Sequence, residues 1–169
     1  MKADELRAVQ ALLKQRYRED PAAAVITLEA RGSLGDEGVA CSVETGRALV
    51  RAGLHPMTGG DGMSVCSGDM LLQALVACAG VTLRAVATAT GITLRGGTVR
   101  AEGDLDFRGT LGVAKDAAVG FVAIRLAFEL DTDATEDELA RLLATTERYC
   151  VVYQTLLRGA QVAVSAARG

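Results

Sequence analysis

Hydrophobic and polar positions along the chain follow two different periods. In residues 3–19 the apolar side chains Leu6, Val9, Leu13 and Tyr17 recur at helical spacing, and Pro21 follows the end of that stripe. Residues 25–31 alternate as a strand. Residues 38–44 form a second strand with Val39, Cys41 and Val43 on one face, and Thr45-Gly46 turns the chain into a third strand, 47–52. This opening reads as an antiparallel meander. After a Gly-rich loop, 53–62, the pattern becomes continuously apolar from Cys66 to about Thr90, with Leu71, Leu72, Leu75, Val76, Val81, Leu83 and Val86 on most sides. Such a helix is buried rather than laid on a surface. Ser67 or Asp69 is placed to cap its start and Gly91 to end it. Gln73, Gly80, Arg84 and Thr88 share a narrow polar stripe, and Cys78 lies off that stripe in the middle of the helix.

The second half repeats the alternation of periods. Residues 97–107 read as a strand, 108–112 as a turn, and 119–130 as a long strand with Val122, Ile124, Leu126, Phe128 and Leu130 on one face. Its other face carries Phe121, Ala123 and Ala127 beside Arg125 and Glu129, which suits a strand in the middle of a sheet. Thr135 and Glu138 make a capping box that opens a second long helix, running to about Arg158 and closed by Gly159. Leu139, Leu142, Thr146, Cys150, Tyr153 and Leu157 run down one face of it. Residues 161–166 read as a final strand. The order is helix, three strands, helix, two strands, helix, strand, an α+β layout.

Composition narrows the function. The length of 169 residues predicts one domain, with 1–22 as an N-terminal helical extension and 23–169 as the body. A net charge of -3 and a pI near 5.2 argue against a nucleic-acid partner. Residues 2–20 are charged throughout, unlike a signal peptide. The apolar run 70–83 is too short to span a bilayer, so the expectation is a soluble cytoplasmic protein with no membrane partner. Cys41, Cys66, Cys78 and Cys150 are too widely and irregularly spaced for a disulfide framework. In a reducing compartment such thiols are core residues, metal ligands or redox groups. Cys41, on an alternating strand face, reads as core packing. His55, the only histidine, reads as structural or solvent-facing, and without a Cys-x-x-Cys pair no metal centre is expected. The Gly-rich loop lacks the Walker spacing, so no cofactor is expected either.

Two signatures carry a resemblance. Ala77-Cys78 stands at the centre of the long apolar helix, and Glu147-Arg-Tyr-Cys150-Val-Val-Tyr-Gln-Thr-Leu156 stands in the late helix. Between them, the segment from Val99 to Gly112 resembles the strand and turn that join those helices in the OsmC/Ohr family, and the order of elements fits over roughly 24–166. The late motif of that family usually has Pro after the Cys, where this chain has Val151. The resemblance implies antiparallel sheets packed around two long helices in an intertwined homodimer. It also implies a thiol-dependent peroxidase that reduces organic hydroperoxides, alkyl or fatty-acid, at two interface sites. Carried to this chain, Cys78 is the peroxidatic thiol and Cys150 resolves it into an intramolecular disulfide, which a thiol or dithiol reductant reopens. Ohr-type members also place an arginine where Arg31 stands, and a Glu about ten residues before the catalytic Cys, where this chain has Gly68 with Asp69 beside it.

Physical chemistry adds a requirement and a constraint. Burial raises a thiol's pKa and a mid-helix position gains little from its own helix N-terminus. Cys78 therefore calls for a nearby cation, with Arg31, Arg47, Arg51 and Arg84 as the choices and Arg31 favoured by the resemblance. Cys66 precedes Cys78 by twelve residues, about 18 Å on one helix, too far for a disulfide. Two other readings compete: an OsmC-like protein without peroxidase activity that binds an apolar ligand at the dimer interface, and a redox-sensing or metal-binding protein using Cys66 with Cys78.

Overall fold

The computed structural model describes residues 3–33, 42–43, 52–63, 65–166 and 168. Cys41, Arg47, Arg51 and most of the strands expected at 38–44 and 47–52 lie outside these residues. The elements in chain order are α1 (Ala3–Glu19), a 3₁₀ turn (Pro21–Ala24), β1 (Val25–Ser33), β2 (Ser42–Val43), β3 (Ala52–Gly53), a second 3₁₀ turn (Pro56–Thr58) and β4 (Val65–Cys66). They continue with α2 (Ser67–Thr90), β5 (Gly96–Asp106), α3 (Phe107–Thr110), β6 (Phe121–Asp131), α4 (Glu136–Tyr149) and α5 (Val151–Arg158). This is an α+β fold: an antiparallel sheet in the order β2-β1-β5-β6, with α2 packed across it. β3 and β4 make a separate two-stranded parallel bridge.

α2 sits where its sequence demands. Leu72, Leu75, Val76, Ala79, Gly80, Leu83, Arg84 and Ala87 form one buried stripe, spaced three and four residues apart. Facing them, β5 buries the alternate positions Val99, Ala101, Gly103 and Leu105. Each fully buried Leu or Val contributes about 1.5–3 kcal/mol relative to exposure. Gly91 adopts φ 73 beyond the last turn, and the Ile92 N–H donates to the Ala87 carbonyl at 2.9 Å, closing the helix. By length and composition α2 is able to cross a membrane, unlike the shorter run 70–83, yet here it is the core helix. α4 lies against α2 through buried Leu142 and Thr146. It opens with the expected box: the Thr135 N–H donates to Glu138 Oε2 at 2.8 Å and the Glu138 N–H donates to Thr135 Oγ1 at 3.3 Å. α1 is anchored by Tyr17, which is buried and donates its hydroxyl to the Met57 carbonyl at 2.7 Å.

Four sequence expectations change. β6 is at the edge of the described sheet, not in its middle. The register slips at Asp104/Leu105, so Leu105 pairs with Phe121 and Val122 is exposed. That bulge brings Phe121 to the core side of the sheet, against Gly103, and makes the second face of β6 look apolar in the sequence. Residues 108–112 include the end of the short helix α3, capped by Asp106 accepting from the Arg108 N–H at 3.0 Å. Residues 161–166 pair with none of the described strands, and Val162 and Val164 are exposed. The late helix is two helices, α4 and α5, with Cys150 at the break.

Candidate active site

The break at Cys150 is built from local hydrogen bonds. Thr146 turns its hydroxyl back to the Leu142 carbonyl at 2.8 Å, a bond that bends helices. Cys150 leaves the helical region with φ -71 and ψ 107, and its N–H still donates to the Thr146 carbonyl at 2.8 Å. The carbonyl of Glu147 receives the Gln154 side-chain amide at 2.8 Å. The Gln154 N–H donates to the Cys150 carbonyl at 2.9 Å, so Cys150 is the N-cap of α5. Cys150 is buried, 1% exposed, and its own side chain makes no capping hydrogen bond.

α5 packs on α2 and brings Cys150 to Cys78. Both thiols are free. Burial pushes the Cys78 thiol up. The Val152 N–H, the Cys150 thiol, the Val151 N–H and the Thr82 hydroxyl favour the thiolate and carry it below the ordinary cysteine value. Cys150 moves the other way. Burial and the neighbouring Cys78 push it up to about 11, against only partial relief from the N–H groups of Tyr153 and Val152. The pair is therefore divided: a half-buried thiol drawn toward the thiolate, and a fully buried thiol held neutral.

The Arg31 side chain, like all of Arg47 and Arg51, lies outside what the structure describes, so the expected cation is not placed. Every described group that lowers Cys78 is a neutral donor, and two of them belong to the N-terminus of α5, whose dipole also favours negative charge. Among the described residues the groups that favour the thiolate belong to a neighbouring helix and to Thr82. The family's usual Pro after the Cys favours the first position of a helix, and Val151 holds that position here. Arg31 lies in β1 in register with Arg100. Arg84 is buried on the sheet-facing stripe, donates from Nη1 to the Leu94 carbonyl at 2.9 Å, and finds no acceptor for Nε and Nη2 among the described residues.

The N-terminal end of α2 holds the remaining candidates. Cys66 is the N-cap of the uninterrupted helix α2, so it does not double back toward Cys78. His55, Cys66, Asp69 and Gln73 line a cavity of about 480 Å³. His55 accepts the Met57 N–H on Nδ1 at 3.1 Å and stacks on Phe107 with ring centroids 5.2 Å apart, a structural role that fits its sequence reading. Burial pushes the Asp69 carboxyl up, and His55 draws it partly back. An adjoining cavity of about 360 Å³ shares His55 and Cys66 and is walled by Leu54, Leu71, Phe107 and Phe121.

Known proteins agree with this architecture. The family model described as OsmC-like protein matches residues 59–165, which includes both Cys78 and Cys150. No curated protein matches the chain. Among solved structures, an OsmC-like protein from Mycoplasma pneumoniae is similar with a TM-score of 0.56 at 17% identity, over 80% of this chain and 86% of that one. An OsmC-like hydroperoxide resistance protein from Jannaschia sp. CCS1 is similar with a TM-score of 0.58 at 15% identity, over 86% of this chain and 95% of that one.

Proposed function

The chain belongs to the OsmC-like protein family, and on that premise we propose that it is a soluble, cytoplasmic, homodimeric peroxidase that reduces organic hydroperoxides through Cys78 and Cys150. The observation that carries this reading is the contact between two free thiols driven in opposite directions, Cys78 toward thiolate and Cys150 up to about 11. The similarity to the hydroperoxide resistance protein of Jannaschia supports the substrate class.

The chemistry runs in three balanced steps. The Cys78 thiolate attacks the terminal oxygen of ROOH, the O–O bond breaks, and the leaving alkoxide takes a proton to give ROH and Cys78 sulfenic acid. The Cys150 sulfur then attacks the Cys78 sulfur, the S–O bond breaks, and water leaves with the Cys150 proton. A dithiol reductant reopens the Cys78–Cys150 disulfide by exchange and is itself oxidised to a disulfide. The donors of Val151, Val152 and Thr82 serve the first step by holding the nucleophile charged. The proton on Cys150 keeps it from competing for peroxide, because a neutral thiol is the poorer nucleophile. The exposed apolar side chains Val81, Val151 and Leu157 on α2 and α5 suit a lipophilic peroxide and a second subunit over the site. Arg31, from β1 of either copy, is proposed to orient the peroxide.

Reduced protein treated with one equivalent of cumene hydroperoxide is expected to lose two thiols, and a Cys78–Cys150 peptide to dominate the non-reducing map. Cys78→Ser abolishes peroxide consumption, whereas Cys150→Ser stops at sulfenic acid or overoxidises. Thiols lost no faster than those of free cysteine would sink the peroxidase reading and favour an apolar-ligand binder. A dominant Cys66–Cys78 peptide would move resolution elsewhere.

A further inference from the structure

The start of α2 carries groups that the thiol chemistry does not use. Cys66, Asp69 and Gln73 recur at spacings of three and four, so they share one face at that end of the helix. With His55 they line the cavity of about 480 Å³. The apolar cavity of about 360 Å³ adjoins it, and His55 and Cys66 belong to both. An apolar chamber beside a few fixed polar groups is the usual form of a small-molecule site, and both volumes are in the range of such sites. Along the uninterrupted α2, Cys66 and Asp69 precede Cys78 by twelve and nine residues, about 18 Å and about 14 Å. The two chambers therefore stand apart from the thiol pair of the same chain.

The polar groups select a head. His55 accepts the Met57 N–H on Nδ1 at 3.1 Å, so the neutral ring carries its proton on Nε2, a donor. Tyr17 of α1 donates to the Met57 carbonyl at 2.7 Å, so the turn that carries His55 is held from both sides. Asp69 is an acceptor, half-buried and relieved by no hydrogen bond among the described residues. An anionic head meets the Asp69 charge, a cationic head leaves the His55 donor without an acceptor, and a bare hydrocarbon leaves both groups unused. A hydroxyl answers both, accepting from His55 and donating to Asp69. We propose that the two chambers bind a lipophilic alcohol, its hydroxyl between His55 and Asp69 and its hydrocarbon part among Leu54, Leu71, Phe107 and Phe121. α1 and His55 precede the residues that the family model matches, 59–165, so this site is built partly from elements outside that match. The peroxidase reading supplies a source of alcohols, and the binding itself does not rest on it.

The test is a titration of the reduced full chain with cumyl alcohol, followed by the methyl signals in carbon–proton NMR spectra. The Leu54 and Leu71 methyls are expected to shift saturably, while those of Val81, Val151 and Leu157 stay in place. Asp69→Ala is expected to weaken binding by about threefold or more, as one lost hydrogen bond does. Cumene, which lacks the hydroxyl, is expected to bind wild type about tenfold or more weakly than the alcohol, having lost both hydrogen bonds. Absence of a saturable shift up to the solubility limit overturns the proposal. So do shifts confined to Val81, Val151 and Leu157, which would put the alcohol over the thiol pair, and so does cumene binding as tightly as the alcohol. Should Asp69→Ala fail to fold, the comparison of alcohol with cumene on wild type decides. Cumene hydroperoxide turnover is measured separately. A chain that binds the alcohol at Leu54 and Leu71 but consumes no peroxide keeps this proposal and loses the peroxidase reading, and a chain that consumes peroxide without those shifts does the reverse.

Discussion

Two sulfurs in contact share their protons unequally, and the inequality has a pH signature. Folding favours the Cys78 thiolate, so its contribution is present above the ordinary cysteine value of 9.0 and is lost as pH falls through the lower folded value. Folding favours the neutral Cys150 thiol, so its contribution is present below 9.0 and is lost as pH rises toward about 11. Between those two values the unfolded thiol ionises while the folded one keeps its proton. Reduced wild type is expected to lose roughly 2–3 kcal/mol of stability across that window relative to Cys150→Ala, at about 1.4 kcal/mol per pKa unit. Urea unfolding of both proteins at several alkaline pH values measures this, and parallel curves would show that Cys150 titrates as it does when unfolded. At this scale the sequence singled out the two thiols better than their surroundings. Cys78 and Cys150 stand out from a buried helix and a family motif, and the structure sets them side by side. The donors on Cys78 were not, because backbone N–H groups are the same for every residue type and matter only where a helix happens to begin.

At the scale of elements, strongly periodic segments were readable and interruptions were not. α2, β5 and α4 follow their apolar spacing, and Gly91 and the Thr135 box take their expected places, but α2 begins after Cys66 with no side-chain cap from Ser67 or Asp69. The break at Cys150 escaped because the apolar face of the late helix continues across it through Thr146, Cys150 and Tyr153. The edge position of β6 escaped because the bulge brings Phe121 to the core side and gives both faces of the strand an apolar character. That bulge depends on Gly103: a Cβ there would overlap the Phe121 ring and stand 3.3 Å from Leu72 Cδ2. Gly103→Val is therefore expected to cost about 1–3 kcal/mol by overpacking between β5, β6 and α2, measured by chemical unfolding. A neutral result would mean that Phe121 swings aside without loss.

At the scale of the whole molecule, one chain leaves too much apolar surface uncovered around its own site. Val81, Val151 and Leu157 are exposed near the cysteine pair, and Val162 and Val164 extend that character into the tail. A second copy related by a two-fold axis is the commonest way to cover such a surface. Sedimentation at micromolar concentration is expected to give a dimer, and removal of residues 161–169 to shift the equilibrium toward monomer. A clean monomer mass for the intact chain would leave the exposed side chains to the ligand alone.

β6 is eleven residues long and has β5 as its single described neighbour. A strand in that position is a template, since its outer N–H and C=O groups will pair with any extended segment that reaches them. Arg125 and Glu129 put charge along one face of β6, and the bulge at Val122 interrupts its pairing, both of which hinder endless stacking of flat strands. The colloidal fate of the protein therefore turns on a feature remote from its thiols. A segment paired along that edge would take up those backbone groups and close the sheet to other chains.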